Sequence, residues 1–300
     1  MSSDMREMPK RTLTGLVMGA AVLLALFRIP PAGGCILLSA LACLGALEFY
    51  RLLDHAGIPS FRRVGAACGM LLVAATWWTL AGTDSSRFNV FEIEQFVLFG
   101  TTIAVLVRLF PQKHNQQPMA TVACTLLGFL YVPVLLNYIT KLAFTWRPAA
   151  EPAHWTQPAY PLVFFLIFVV KMTDIGAYFT GSRFGRHKLI PRISPGKTVE
   201  GFIGGLVIGT VGGALFYIAA PGWFEFVGVR MNIFHSVLLG FALSLLGTVG
   251  DLTESLLKRS SGAKDSGRFI PGMGGLLDVI DSLLFAAPAM YIYVRIFLAP

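Results

Sequence analysis

This chain is short of charge: Asp, Glu, Lys and Arg together make up 13% of its 300 residues, where water-soluble domains carry roughly 25%. With 55% hydrophobic side chains and a mean hydropathy of +0.68, that shortage excludes a string of separate soluble domains. Cysteine is sparse as well. Cys35, Cys43, Cys68 and Cys124 form no C-x-x-C pair and have no histidine nearby, which argues against a zinc site or a disulfide framework and leaves them as small packing residues. Long basic runs and Arg residues interleaved with aromatics are also missing. The net charge of +8 therefore speaks of membrane topology and of anionic headgroups or phosphates, and not of nucleic acid. No fixed-period repeat is present, so a solenoid is not indicated.

What the chain does have is apolar runs. A transmembrane helix needs about 20 mostly apolar residues, and nine stretches meet or approach that length: 13–29, 33–50, 64–82, 96–111, 119–141, 160–181, 201–220, 232–250 and 278–298. The expected fold is an all-α polytopic membrane protein of about nine helices, with eight as the alternative. Lys10 and Arg11 before the first run imitate a signal peptide, but no A-x-A cleavage pattern follows and a second run comes almost at once; an uncleaved span is expected. Pro30-Pro31 with Gly33-Gly34 predicts a tight turn after it. With the N-terminus in the cytoplasm, the inside segments carry 17 Lys and Arg and the outside segments five. That bias fits the positive-inside rule, and it puts the basic loops 182–200 and 251–277 on one side, the cytoplasm. Residues 1–159 then form an N-terminal region of about five spans, and 160–300 a C-terminal catalytic region. Gly201, Gly205, Gly209 and Gly213 recur every four residues along the seventh span, a pattern that lets helix backbones approach closely.

Polar residues crowd into the chain only after residue 160, so the chemistry is expected there. Ionisable groups at membrane depth need a partner or a wet cavity. Lys171 and Asp174, three apart on one helix face, could neutralise each other or line a polar cavity beside the loop that follows. In that loop Gly196-Lys197-Thr198 looks like the end of a Walker A motif, but the glycine required five residues before Gly196 is Pro191, and no parallel-sheet pattern surrounds it. What remains is a basic loop leading into a helix N-terminus, where Ser194 and Thr198 can donate to phosphate oxygens, Lys197 can neutralise them and Glu200 completes a polar set. In the second loop Asp251, Glu254, Ser255 and Lys258 fall at i, i+3, i+4 and i+7, on one helix face, followed by Arg259, Lys264 and Asp265; Asp278 and Asp281 lie one turn apart beyond it. Carboxylates and hydroxyls without a His or Cys cluster favour a hard cation, Mg²⁺ above all. With the lysines and arginine beside them they suggest phosphoryl or nucleotidyl transfer.

The stretch Ser255-x-x-Lys258-Arg259-x4-Lys264-Asp265-x5-Pro271-Gly-x-Gly-Gly275-x-x-Asp278-x-x-Asp281 closely resembles the signature of phosphatidate cytidylyltransferases. Asp174-x-Gly-Ala-Tyr-Phe, Ser194-Pro-x-Lys197-Thr-x-Glu200-Gly201 and Gly250-Asp251-Leu-x-Glu254-Ser255 match that family in order and spacing. The resemblance covers about 165–290. It implies condensation of CTP with phosphatidic acid to CDP-diacylglycerol and pyrophosphate at the cytoplasmic membrane face, with a divalent cation. It also implies that Asp251 and Asp278 belong to the metal centre. On that reading Lys258, Arg259 and Lys264 stabilise departing pyrophosphate, and Lys197 and Ser194, with Thr198, Ser255 and Asp174 nearby, hold substrate phosphates. Asp281, Asp265 and Glu200 orient these groups or hold a second cation. Two positions depart from the pattern: Met273 stands where the family usually has His, and Val279 where it has Arg, which removes a bidentate phosphate donor. A CTP-dependent kinase or cytidylyltransferase on another lipid, a non-catalytic paralogue and a transporter are the alternatives, and nothing in the sequence decides between a monomer and a homodimer.

Overall fold

The computed structural model describes residues 30–81, 89–113, 115–146, 160–263, 266–267 and 274–299. These form an all-α membrane protein. Among the described residues eight helices are long and apolar enough to cross a bilayer: α1 (Pro31–His55), α2 (Arg62–Ala81), α3 (Val90–Leu109), the pair α4 (Pro118–Phe129) and α5 (Leu135–Phe144) joined by a π-helical turn, α6 (Tyr160–Phe184), α7 (Val199–Ala219), α9 (Ile233–Ser260) and α10 (Leu277–Tyr293) with its π-helical end. A short α8 (Gly222–Phe226) precedes α9. Eight of the nine expected spans are thus accounted for; the first, 13–29, lies outside the described residues. The helix starts follow local chemistry. Pro31 and Pro118 occupy first-turn positions, where a missing N–H costs nothing. Asn89 and Glu92 form a reciprocal capping box on α3, each side chain accepting the other's backbone N–H at 2.9 Å. Pro133 sits in the π turn Leu130–Val134 that interrupts the fourth span, as expected of a residue that cannot donate to the helix ladder.

The described residues divide into two compact units. One contains α1, nearly all of α2, α3, α4 with its π turn, and residues 260–280. Its packing is aromatic and tight. The hydroxyl of Tyr50 donates to the Thr125 carbonyl at 2.8 Å, and Gly65 and Gly128 lie so close to the Tyr50 ring that a Cβ on either would overlap it. Leu72, Val97 and Phe129 form a small buried cluster beside them.

The other unit holds α5 to α9 and α10 from Asp281 onward. Here the glycine stripe of α7 acts as the sequence suggests. Gly201 and Gly205 face the backbone carbonyls of Ala177 and Thr173 on α6, and Gly213 faces Gly240 and the Ser236 carbonyl on α9. Gly209 packs on Thr173 and Ser244, whose hydroxyls are hydrogen-bonded at 2.7 Å. Towards the far end, Phe216 packs its ring 5.4 Å from those of Phe165 and Phe168. One departure from the expected all-α pattern is local: loop 182–200 contains an antiparallel hairpin, β1 (Lys188–Ile190) and β2 (Ser194–Thr198), with Lys188 opposite Thr198 and Ile190 opposite Ser194.

Candidate active site

The hairpin is fastened at its base by Thr198 and Glu200, two side chains that the sequence pattern placed in the candidate site. Thr198 caps α7, its hydroxyl accepting the Gly201 N–H at 3.1 Å. The Glu200 carboxylate accepts the backbone N–H groups of Arg186 and His187 at 3.0 and 3.2 Å and pairs with His187 Nδ1 at 2.6 Å. At the turn, Arg259 Nε donates to the Ile193 carbonyl at 3.3 Å, tying the hairpin to α9. These contacts present Lys197, two residues before the helix begins, to α9. Its ammonium meets Asp251 Oδ2 at 2.5 Å, with both side chains about 30% exposed (27% and 32%).

This pair stands on a cavity of about 390 Å³ within the second unit. Asp174, Lys197, Thr198, Asp251 and Thr248 make its polar side, and Ala177, Tyr178, Leu189 and Phe202 its apolar side. Gly181 and Gly196 also line it. Asp174 pairs with Lys171 at 3.2 Å and lines the cavity, whereas Lys171 is not among the lining residues. Asp281 is buried on α10 at 6% exposure, within electrostatic reach of Asp251, Asp174 and Lys171. It comes so near because Gly250 has no side chain: a Cβ there would meet the Asp281 carbonyl at 2.6 Å. Ser255 lies one turn beyond Asp251 on α9, half-buried. Lys258 is held one turn from Glu254 by an ion pair of 2.5 Å, with Glu254 fully buried.

Asp278 belongs to the first unit. Its Oδ2 accepts from the Gly275 N–H at 2.6 Å and from the Ser266 hydroxyl and N–H at 2.8 and 3.3 Å. Lys264, Asp265 and Met273 lie outside the described residues. Val279, one residue on, is half-buried.

Among the described residues no group of three or more His, Cys, Asp or Glu side chains is arranged to hold a metal ion. The oxygen donors on the cavity, Asp251, Asp174 and Thr248, nevertheless suit Mg²⁺, which takes one or two protein carboxylates and completes its shell with water and substrate phosphates. Sequence reasoning missed the walls of the cavity, since Tyr178, Ser182 and Phe202 look like ordinary membrane-helix residues. It also missed Glu48, a buried acid in α1. A carboxylate inside an apolar run was the signal available for it.

The cavity joins an apolar wall to a lysine and two carboxylates, a lining chemically suited to a phosphate ester that carries an apolar tail. A family model described as "Cytidylyltransferase family" matches residues 9–297. A phosphatidate cytidylyltransferase of Bacillus subtilis is 31% identical over 98% of this chain and 100% of its own length. One from Haemophilus influenzae is 33% identical over 93% of this chain and 96% of its own, and one from Brucella suis is 45% identical over 47% of this chain and 49% of its own. The chain belongs to the cytidylyltransferase family.

Proposed function

We propose that the protein is a phosphatidate cytidylyltransferase of the inner membrane, condensing CTP with phosphatidic acid to give CDP-diacylglycerol and pyrophosphate, with its site facing the cytoplasm. Family membership supplies the reaction, and the Lys197–Asp251 pair on the cavity is the observation that supports assigning it to this cavity. An oxygen of the phosphatidate phosphate, already largely ionised near neutrality, attacks the α-phosphorus of CTP. The bond from that phosphorus to the α–β bridging oxygen breaks, and pyrophosphate departs with the electron pair. Lys197 holds phosphate oxygens from the hairpin, and Tyr178, Leu189 and Phe202 offer the apolar wall along which a lipid substrate can lie. Lys258, Arg259 and Lys264 are assigned to the leaving pyrophosphate. Asp251 is the cavity carboxylate that would hold Mg²⁺, and Asp278 carries the same assignment through the family signature. When bound, the cation would screen charge on the triphosphate.

The test is direct. Purified protein given phosphatidate, Mg²⁺ and CTP labelled at the α-phosphate should yield labelled CDP-diacylglycerol and one pyrophosphate per turnover. Release of CDP without pyrophosphate would make it a kinase, and no product beside an active control enzyme would overturn the reading.

A further inference from the structure

Glu48 lies near the C-terminal end of the apolar run 33–50 of α1, three residues before Arg51, and it is 2% exposed. Burying a carboxylate at membrane depth is costly and calls for partners. Those it finds all belong to the segment that leads into α10. Its Oε2 accepts the backbone N–H of Leu277, the first residue of α10, at 2.8 Å, and stands 3.5 Å from the Ser266 hydroxyl. The first N–H groups of a helix have no partner within it and favour a negative charge, so Glu48 caps α10 from a helix 229 residues away in sequence.

The fit around this carboxylate leaves no slack. A Cβ on Gly267 would sit 2.5 Å from Glu48 Oε1, and one on Gly275 would sit 2.6 Å from Oε2 and 2.1 Å from Ser266 Oγ. The same backbone is gripped from its other side by Asp278, through the Gly275 N–H and both Ser266 donors. Glu48 and Asp278 therefore share the Ser266 hydroxyl, and each accepts a backbone N–H near the start of α10, from Leu277 and Gly275 respectively.

We infer that Glu48 is a positioning residue for the transfer reaction: it fixes the start of α10 and the backbone at 266–267 and 275–277, and through them the orientation of the Asp278 carboxylate. The inference rests on the cytidylyltransferase reading for its catalytic consequence, though the capping contact stands without it. Reach, more than charge, is what the geometry requires. Glu48→Gln keeps an acceptor oxygen at the same distance, whereas Glu48→Asp keeps the charge and withdraws it by one methylene.

The experiment compares wild type with Glu48→Gln, Glu48→Asp and Glu48→Ala, reading kcat, KM for CTP, thermal unfolding and amide hydrogen exchange over 274–280. Glu48→Asp and Glu48→Ala should lower kcat by about a hundredfold, the effect of a misplacement near 1 Å, with KM for CTP changed less than about threefold. Exchange should quicken in 274–280 and not in α2 or α3. Glu48→Gln should retain at least about a third of wild-type kcat and keep its exchange protection. If Glu48→Ala does not fold, the Asp and Gln pair carries the test. Wild-type kcat in Glu48→Asp, or equal losses in Glu48→Gln and Glu48→Asp, would overturn the positioning role. Should the wild-type protein fail to turn over phosphatidate and CTP, the functional reading falls, while localised exchange in Glu48→Asp would still support the cap.

Discussion

At the scale of single residues, Lys197 and Asp251 separate stability from function. An ion pair about one-third exposed contributes roughly 0–1 kcal/mol, so losing it should hardly move the unfolding temperature. Asp251→Asn should nevertheless lower kcat by about a hundredfold or more, because it removes the carboxylate proposed to hold the Mg²⁺ that would screen charge on the triphosphate. Lys197→Ala should act mainly on KM if it binds the ground-state phosphate, and on kcat if its contact forms only in the transition state; steady-state kinetics of both variants, with melting curves beside them, read the difference. Both residues were legible in the sequence, because each is ionisable, embedded in a polar motif and close to an apolar span. Thr198 and Glu200 were legible as important but not as to purpose. Their partners are backbone N–H groups of Gly201, Arg186 and His187, and a backbone donor leaves no mark in the sequence.

At the scale of elements, two features carry the site: the hairpin and the glycine face of α7. Glu200 is the hairpin's main anchor, accepting two backbone N–H groups and one imidazole nitrogen. Glu200→Ala should loosen the strand that carries Lys197 and raise KM for CTP by about tenfold, because it removes the charged acceptor of the hairpin's backbone N–H groups, with a smaller rise in Glu200→Gln. The hairpin itself was not legible, since Ser194-Pro-Gly-Lys-Thr has neither alternation nor a two-residue Asn-Gly turn; it is held by α7 and α9 more than by its own propensity. The glycine face was legible from its four-residue spacing. Gly209→Ala would drive a methyl into the hydrogen-bonded hydroxyls of Thr173 and Ser244, both within 2.2 Å of the new Cβ, and should destabilise by about 1–3 kcal/mol as overpacking does. Gly100→Ala on α3 meets nothing within 4 Å and should be neutral or slightly stabilising, since Ala is the better helix former. Thermal unfolding of the two variants in the same detergent decides the matter.

At the scale of the whole molecule, the scarcity of charge made the membrane class and eight spans readable, because length and hydropathy alone decide whether a helix can cross a bilayer. Span ends were less readable. The eighth expected span, 232–250, continues as α9 to Ser260, a 28-residue helix about 42 Å long against an apolar layer of about 30 Å. Set upright it would leave about two turns outside the hydrocarbon, and the polar stretch from Asp251 to Ser260 is the part composed for that. The proposed orientation rests on charge. Lys and Arg divide 17 to five between the two sides if the hairpin is cytoplasmic, and the positive-inside rule favours that arrangement strongly. Single cysteines test it without disturbing the site: Arg192→Cys in the hairpin turn and Arg230→Cys between α8 and α9 are both exposed positions, whereas the four native cysteines lie within helices, buried or half-buried. A membrane-impermeant maleimide should label Arg230→Cys in intact spheroplasts and Arg192→Cys only after the membrane is opened. Labelling of Arg192→Cys from outside would put the Lys197–Asp251 cavity on the face away from cytoplasmic CTP, and the assignment of the triphosphate to that cavity would have to be abandoned.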